Sequence, residues 1–257
     1  MGQPQQPVIR VQHLVARYGE RTILSDVNCE VQRGEVFVIV GGSGCGKTTL
    51  LRHMIGLQVP ASGRVFIDGD DLTRADEDGL QRIQRKLGVT FQAGALFGSL
   101  TLGENVALPL QEYTTLPDDM IELLVRIKLS MVKLDGFEDL LISELSGGMK
   151  KRAALARAMA LDPGILFFDE PSAGLDPVTS AELDELIVQI NRSLRTTMVV
   201  VTHELPSIFT IADRVIMLDP KTKSIIAEGD PKELRDHGDD PRVHSFFNRE
   251  PAKDRTE

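Results

Sequence analysis

Eight residues constrain this chain more than any others: Gly41-Gly42-Ser43-Gly44-Cys45-Gly46-Lys47-Thr48. They match the pattern G-x-x-x-x-G-K-[ST]. Its glycines let successive backbone N–H groups curl round phosphate oxygens, and the helix that follows adds the positive end of its dipole. Context separates such a loop from an ordinary glycine-rich turn. The apolar run Val36–Val40 before it reads as a strand buried on both faces, and Leu50, Leu51, Met54 and Ile55 after Thr49 follow helical spacing. A strand–loop–helix unit of this kind predicts a mostly parallel sheet with crossover helices.

The rest of the chain is consistent with that class. Its 257 residues are enough for one large α/β domain or two small ones. Short β-like runs occur at Val8–Val11, through a β-rich stretch to Val40, at Arg64–Ile67 between Ser62-Gly63 and Asp68-Gly69, and at Leu87–Phe91. They then stop until Ile165–Phe168, so Gly98–Leu161 reads as a helical insertion in an α/β core. Met149–Leu161 is an Ala-rich helix that must end before Pro163. Asp176 and Pro177 open another, with Leu183, Leu186, Ile187, Ile190 and Leu194 on one stripe. The tail from Pro251 is polar and expected to fray.

Composition removes several classes. A net charge of −9 argues against a broad nucleic-acid-binding face. The longest apolar stretches are strand-sized, far short of the roughly 20 residues of a membrane-spanning helix. The opening MGQPQQP lacks a basic and an apolar region, and Gln6 breaks the myristoylation pattern. Two cysteines, Cys29 and Cys45, suit a reducing compartment, so the expected location is cytosolic.

Three motifs carry chemistry. In the first, the Gly41–Thr48 loop, Lys47 would reach the β- and γ-phosphates of a nucleotide and the Thr48 hydroxyl would ligate Mg²⁺. In the second, Ile165-Leu166-Phe167-Phe168-Asp169-Glu170 is an apolar strand ending in acids. There Asp169 would hold Mg²⁺, mostly through water, and Glu170 would orient an attacking water and take its proton. Between them stands Leu145-Ser146-Gly147-Gly148-Met149, followed by a basic, Ala-rich helix. Two glycines at a helix start expose N–H groups, and Ser146 can donate to a γ-phosphate; a plain capped helix would look similar.

Together these motifs resemble the ABC transporter ATPases, and the resemblance runs from about Val8 to Phe247. It implies a P-loop cassette fold: an α/β core with a mostly parallel sheet (about 8–92 and 162–230), a β-rich N-terminal subdomain, an inserted helical subdomain (about 93–161) and a C-terminal tail (about 231–257). ATP contacts would come from residues 41–49, that is Gly41, Gly42, Ser43, Gly44, Cys45, Gly46, Lys47, Thr48 and Thr49. Ser146, Gly147 and Gly148 match the family's signature motif. Gln92 resembles the glutamine that contacts Mg²⁺ and the nucleotide's water, His203 the histidine at the γ-phosphate, and Tyr18 the aromatic that stacks on adenine. Ser172–Asp176 resembles the D-loop, although Asp176 is equally well explained as a helix cap.

The resemblance also implies partners. Two cassettes would pair head to tail, so that Ser146 and Gly148 of one copy close over ATP held by Lys47 of the other. A separate membrane permease would dock on the helical insertion and hold the pair at the cytoplasmic side of the inner membrane. Met149 stands where the family usually has Gln, which removes one polar contact. LSGGM, Phe91–Phe97 and Glu104–Leu110 resemble the Mla-type phospholipid transport ATPases. That subfamily implies a STAS-domain subunit and a lipid-binding MCE-domain protein. The alternative is an importer ATPase for a polar solute such as an amino acid. Family members that serve chromosome organisation carry long coiled-coil insertions and those of translation carry tandem cassettes, absent here, and a non-hydrolysing regulatory cassette would not need Glu170 and His203. Two positions have open readings: Cys45 as a reactive low-pKa thiol or merely a small residue, and Leu96 as a docking residue or core.

Overall fold

The computed structural model describes residues 6–250 and contains two sheets; the stretch from Pro251 lies outside the described residues. The smaller sheet is antiparallel, in the spatial order β2 (Arg21–Val31), β1 (Ile9–Tyr18), β4 (Ser62–Ile67) and β5 (Asp70–Asp71). The larger runs β10 (Ser224–Gly229), β9 (Arg214–Asp219), β3 (Val36–Gly41), β8 (Thr197–Val201), β7 (Ile165–Asp169), β6 (Leu87–Thr90). All of its neighbours are parallel except the edge pair β10–β9.

The unbroken apolar runs now have a reason. On β3, Val36, Val38 and Val40 pack into one core cluster while Phe37 and Ile39 pack into the other. The same division separates Leu166 and Phe168 from Ile165 and Phe167 on β7. A sheet buried on both faces has no polar side to alternate with. Each large side chain so removed from water contributes about 1.5–3 kcal/mol.

Helices cover those faces. Helix α1 (Lys47–Met54) follows the glycine-rich loop and buries Leu50, Leu51 and Met54. A helix that the sequence reading did not anticipate, α2 (Glu77–Gln84), starts where the Asp76 side chain accepts from Gly79 N–H at 2.9 Å. Between β6 and β7 the regular elements are α3 (Leu102–Tyr113), α4 (Asp118–Met131), a 3₁₀ turn (Ile142–Glu144) and α5 (Gly147–Ala158). Thr101 and Glu104 form a reciprocal capping box on α3.

Helix α5 differs from expectation at both ends. Ser146 caps it by accepting from Met149 N–H, so it starts at Gly147, two residues before the expected Met149. It stops at Ala158, because Asp162 before Pro163 takes a left-handed φ of 50° and the chain must already have left the helix. In α6 (Pro177–Leu194), Asp176 accepts from Val178 and Thr179 N–H, both at 3.1 Å, as its capping role requires. Leu183, Leu186, Ile187 and Ile190 are buried, but Leu194, placed on the same stripe by the sequence, is exposed in the last turn.

Part of the segment set apart as a C-terminal tail is helical. After α7 (Leu205–Ile211), residues from Pro231 form α8 (Pro231–His237) and α9 (Pro241–Asn248), which bury Val243 and Phe247 against the core. Asp230-Pro231 and Asp240-Pro241 repeat the cap-then-proline signal of Asp176-Pro177; the helices are short enough that no stripe reveals them. Among the described residues no helix is long and apolar enough to cross a membrane.

Candidate active site

Four neighbouring parallel strands end at one edge of the large sheet, and each carboxyl end delivers part of the site. The loop Gly41–Gly46 leaves β3, Asp169 and Glu170 end β7, His203 follows β8 by two residues, and Gln92 follows β6 by two. In open α/β sheets this is the edge where ligands bind. A cleft of about 790 Å³ opens there, lined by the loop together with Tyr18, Gln92, Glu170 and His203.

Glycine is required at particular points of the loop. Gly41 has φ 143° and Gly46 φ 103°, both outside the range that other L-residues adopt comfortably. The Lys47 ammonium donates to the carbonyls of Gly41 at 2.9 Å and Gly42 at 3.2 Å, folded over the concavity it bounds. Thr48 Oγ1 donates to Asp169 Oδ1 at 3.0 Å, joining the first motif to the end of β7. Burial pushes the Asp169 carboxyl up, with Glu170 adding to the rise against the Thr48 hydrogen bond. A hydroxyl and a carboxylate held together, all oxygen donors, are chemically suited to Mg²⁺.

Glu170 is held in an unusual way. Its φ is 50°, left-handed for a bulky residue, and its N–H donates to Val201 O at 2.9 Å. Oε1 lies 2.9 Å from His203 Nδ1, while Oε2 is buried and has no hydrogen-bond partner among the described residues. A buried carboxylate oxygen without a partner, beside the phosphate loop, fits the placement of a water that the carboxylate would hold. Tyr18 is half exposed, and Gln58 Nε2 donates to its hydroxyl oxygen at 2.9 Å, a bond that favours the phenolate and is the main reason its pKa is lowered.

The remaining sequence-derived candidates are placed elsewhere. Ser146 and Gly147 are exposed at the start of α5, and neither they, Gly148 nor Asp176 lines the cleft within this chain. Gly148 allows α5 and α6 to approach, since a Cβ there would sit 2.6 Å from Thr179 Cγ2. Met149 packs against the core cluster, which accounts for an apolar residue at that position. Leu96 is partly buried and packs against the core cluster; Phe97 beside it is 51% exposed.

Cys45 does not line the cleft and is buried in the second core cluster. Burial raises its thiol pKa more than Lys47 lowers it, contrary to the reactive-thiol expectation. Cys29 is buried too, with its pKa pushed up to about 12. Alkylation at pH 8 should therefore be at least ~10-fold slower in the native chain than in the urea-denatured chain, because the thiolate is the reactive form. Mass spectrometry of the time course checks this; rapid native labelling of Cys45 that MgATP prevents would restore the reactive reading.

Some contributors were not foreseen. Arg21, Ile23 and Phe246 of α9 line the cleft. Buried Asn105 accepts from Phe97 N–H at 2.8 Å and donates to Thr101 O at 2.8 Å, fixing the loop that follows Gln92. The signal for Asn105 was a lone polar residue on the inner face of an apolar helix.

This fold and edge define a P-loop nucleotide-binding protein. The family model for ABC transporters matches residues 24–173. The chain is 41% identical over 243 residues to the intermembrane phospholipid transport system ATP-binding protein MlaF of Haemophilus influenzae, covering 94% of this chain and 90% of that protein. It is 41% identical over 247 residues to the probable ribonucleotide transport ATP-binding protein mkl of Mycobacterium tuberculosis, covering 96% and 68%. The structure of the ATP-binding cassette MJ0796, a dimer in a post-hydrolysis state with ADP and Pi, superposes with TM-score 0.79 at 31% identity, over 86% of this chain and 98% of that one. The chain belongs to the ABC transporter ATP-binding family. It is an ABC-type ATPase whose hydrolysis is coupled to transport; cassettes of this family bind ATP, dimerise and partner membrane permeases.

Proposed function

We propose that this chain energises phospholipid transport by a separate permease, through ATP-driven pairing of two copies. The observation that carries the mechanism is the meeting of the Gly41–Thr48 loop, Asp169, Glu170, His203 and Gln92 at one sheet edge. In this reading Lys47 and the loop N–H groups, from Gly41 through Thr49, hold the phosphates, and Tyr18 stacks on adenine. Thr48, Asp169 and Gln92 would hold Mg²⁺, which supplies charge neutralisation at the phosphates. Glu170 orients and deprotonates the attacking water, and His203 both steadies Glu170 and reaches the γ-phosphate. Ser146, Gly147 and Gly148, at the start of α5, complete the site of a second copy, with Asp176 near the seam. Hydrolysis is thereby tied to closure of the pair.

Phospholipid as cargo is supported by the MlaF relatives, which align over 84–90% of their length, against 68–70% for the ribonucleotide-transport relatives at similar identity. The sequence stretches beside Gln92 point the same way. On this reading the chain sits at the cytoplasmic face of the inner membrane with its permease, a STAS-domain subunit and an MCE-domain protein. The test is reconstitution of the affinity-purified membrane complex in vesicles containing fluorescent phospholipid. ATP should drive lipid transfer to acceptor vesicles and lipid should stimulate hydrolysis. ATP turnover stimulated by a ribonucleotide or amino acid, with no lipid transfer, would overturn the assignment.

A further inference from the structure

We propose that Lys151 is a positioning residue, joining the signature helix to the backbones of both Gln92 and Glu170. It rests on the reading of Glu170 and Gln92 as working groups of the site. From the second turn of α5, the Lys151 ammonium donates to Gln92 O at 2.7 Å and to Glu170 O at 3.4 Å. These carbonyls belong to the ends of adjacent strands, β6 and β7, so one cation spans two of the four strand ends that form the cleft.

Three observations give the contact weight. The left-handed backbone of Glu170 is a conformation that persists only where its surroundings over-determine it. Its N–H is bound to Val201 on β8, and its carbonyl also accepts from Ala173 N–H at 3.2 Å; Lys151 is the anchor that reaches it from the helical block. Helix α5 grips the loop after Gln92 at one more point, where Arg157 donates to Ala95 O. Finally, the Lys151 ammonium donates to two carbonyls at once, and hydrogen bonds from a charged donor are the stronger kind.

Rigid-body movement of α5 therefore displaces the Gln92 loop and the Glu170 peptide together. Ser146, Gly147 and Gly148 stand at the start of that helix, so contact made there by a second copy reaches the hydrolytic carboxylate through about one helical turn. Lys151 touches neither nucleotide nor water in this scheme.

The test compares Lys151→Met, Lys151→Arg and Glu170→Gln in the full-length chain, measuring Pi release over a range of ATP concentrations together with thermal midpoints. Lys151→Met should lower kcat about 10-fold and leave KM for ATP within ~2-fold, the pattern of a lost orienting group. Lys151→Arg, which keeps the charge and the donors, should recover most of kcat. Should the Met variant fail to fold, Lys151→Gln carries the same comparison with a single uncharged donor group. The proposal is overturned if Lys151→Met turns over normally while Glu170→Gln does not. It is also overturned if Arg fails as badly as Met and both lose thermal stability, since the side chain would then only be packing. Normal turnover by Glu170→Gln would remove the underlying reading instead, a result distinguishable from either.

Discussion

Glu170→Gln is expected to slow ATP hydrolysis at least ~100-fold while nucleotide still binds, the scale on which loss of a general base is felt. The substitution is nearly isosteric and leaves the Gly41–Thr48 loop untouched. It replaces the oxygen pair that meets His203 at 2.9 Å on one side and has a buried, unpartnered member on the other. An amide can still hydrogen-bond at that place, but it cannot accept a proton from water. ATP should accumulate unhydrolysed and hold two copies together, so the dimer should persist in MgATP and disperse in ADP. Pi release in the steady state and mass by light scattering read the two halves separately. Turnover within a few-fold of the parent would take Glu170 out of the role; slow turnover without a persistent dimer would keep the base and reject ATP-driven pairing.

The second large effect is expected at Gly41→Ala. A Cβ at this position would lie 2.4 Å from Leu218 O on β9 and 2.7 Å from Cys45 Sγ, and the backbone stands at φ 143°. Neither obstacle can be relieved by turning a flexible side chain, because one is the backbone of a central strand and the other is itself buried. Stability should fall by about 3 kcal/mol, in the range of overpacked core sites, and the loop should lose its phosphate-binding shape. Gly44→Ala is the matched control: its φ is 75° but a Cβ there meets nothing within 4 Å, so only the backbone strain of about 1 kcal/mol remains. Urea midpoints and binding of a fluorescent ATP analogue give the comparison. Equal midpoints for the two variants would show that β9 does not enforce the path of the loop.

Much of the site was legible in the residues because its motifs are local. The Gly41–Thr48 loop needs only the chain on either side of it, and Ile165–Glu170 announces both a buried strand and the acids that end it. The Asp176-Pro177 helix start was also readable, since capping acts over three residues. Short-range physics writes itself into short-range sequence.

What only the tertiary structure decided depends on distance along the chain. Thr48 meets Asp169 across 121 residues, and Lys151 meets the Gln92 carbonyl across 59; no periodicity or spacing encodes such pairs. Cys45 sits beside Lys47 in sequence, an arrangement that suggests a reactive thiol. The fold instead turns it into the apolar cluster beneath the loop, where desolvation outweighs the neighbouring charge. Leu96 and Phe97 are indistinguishable as a pair of apolar residues until packing partly buries one and exposes the other. Helices α8 and α9 carry clear start signals but too few apolar positions to declare a face, and only docking of Val243 and Phe247 onto the core selects them. In each case the deciding free energy comes from burial against residues remote in sequence. The identity of the chemistry was therefore written along the chain, while the placement and environment of each group were settled by the packed sheet.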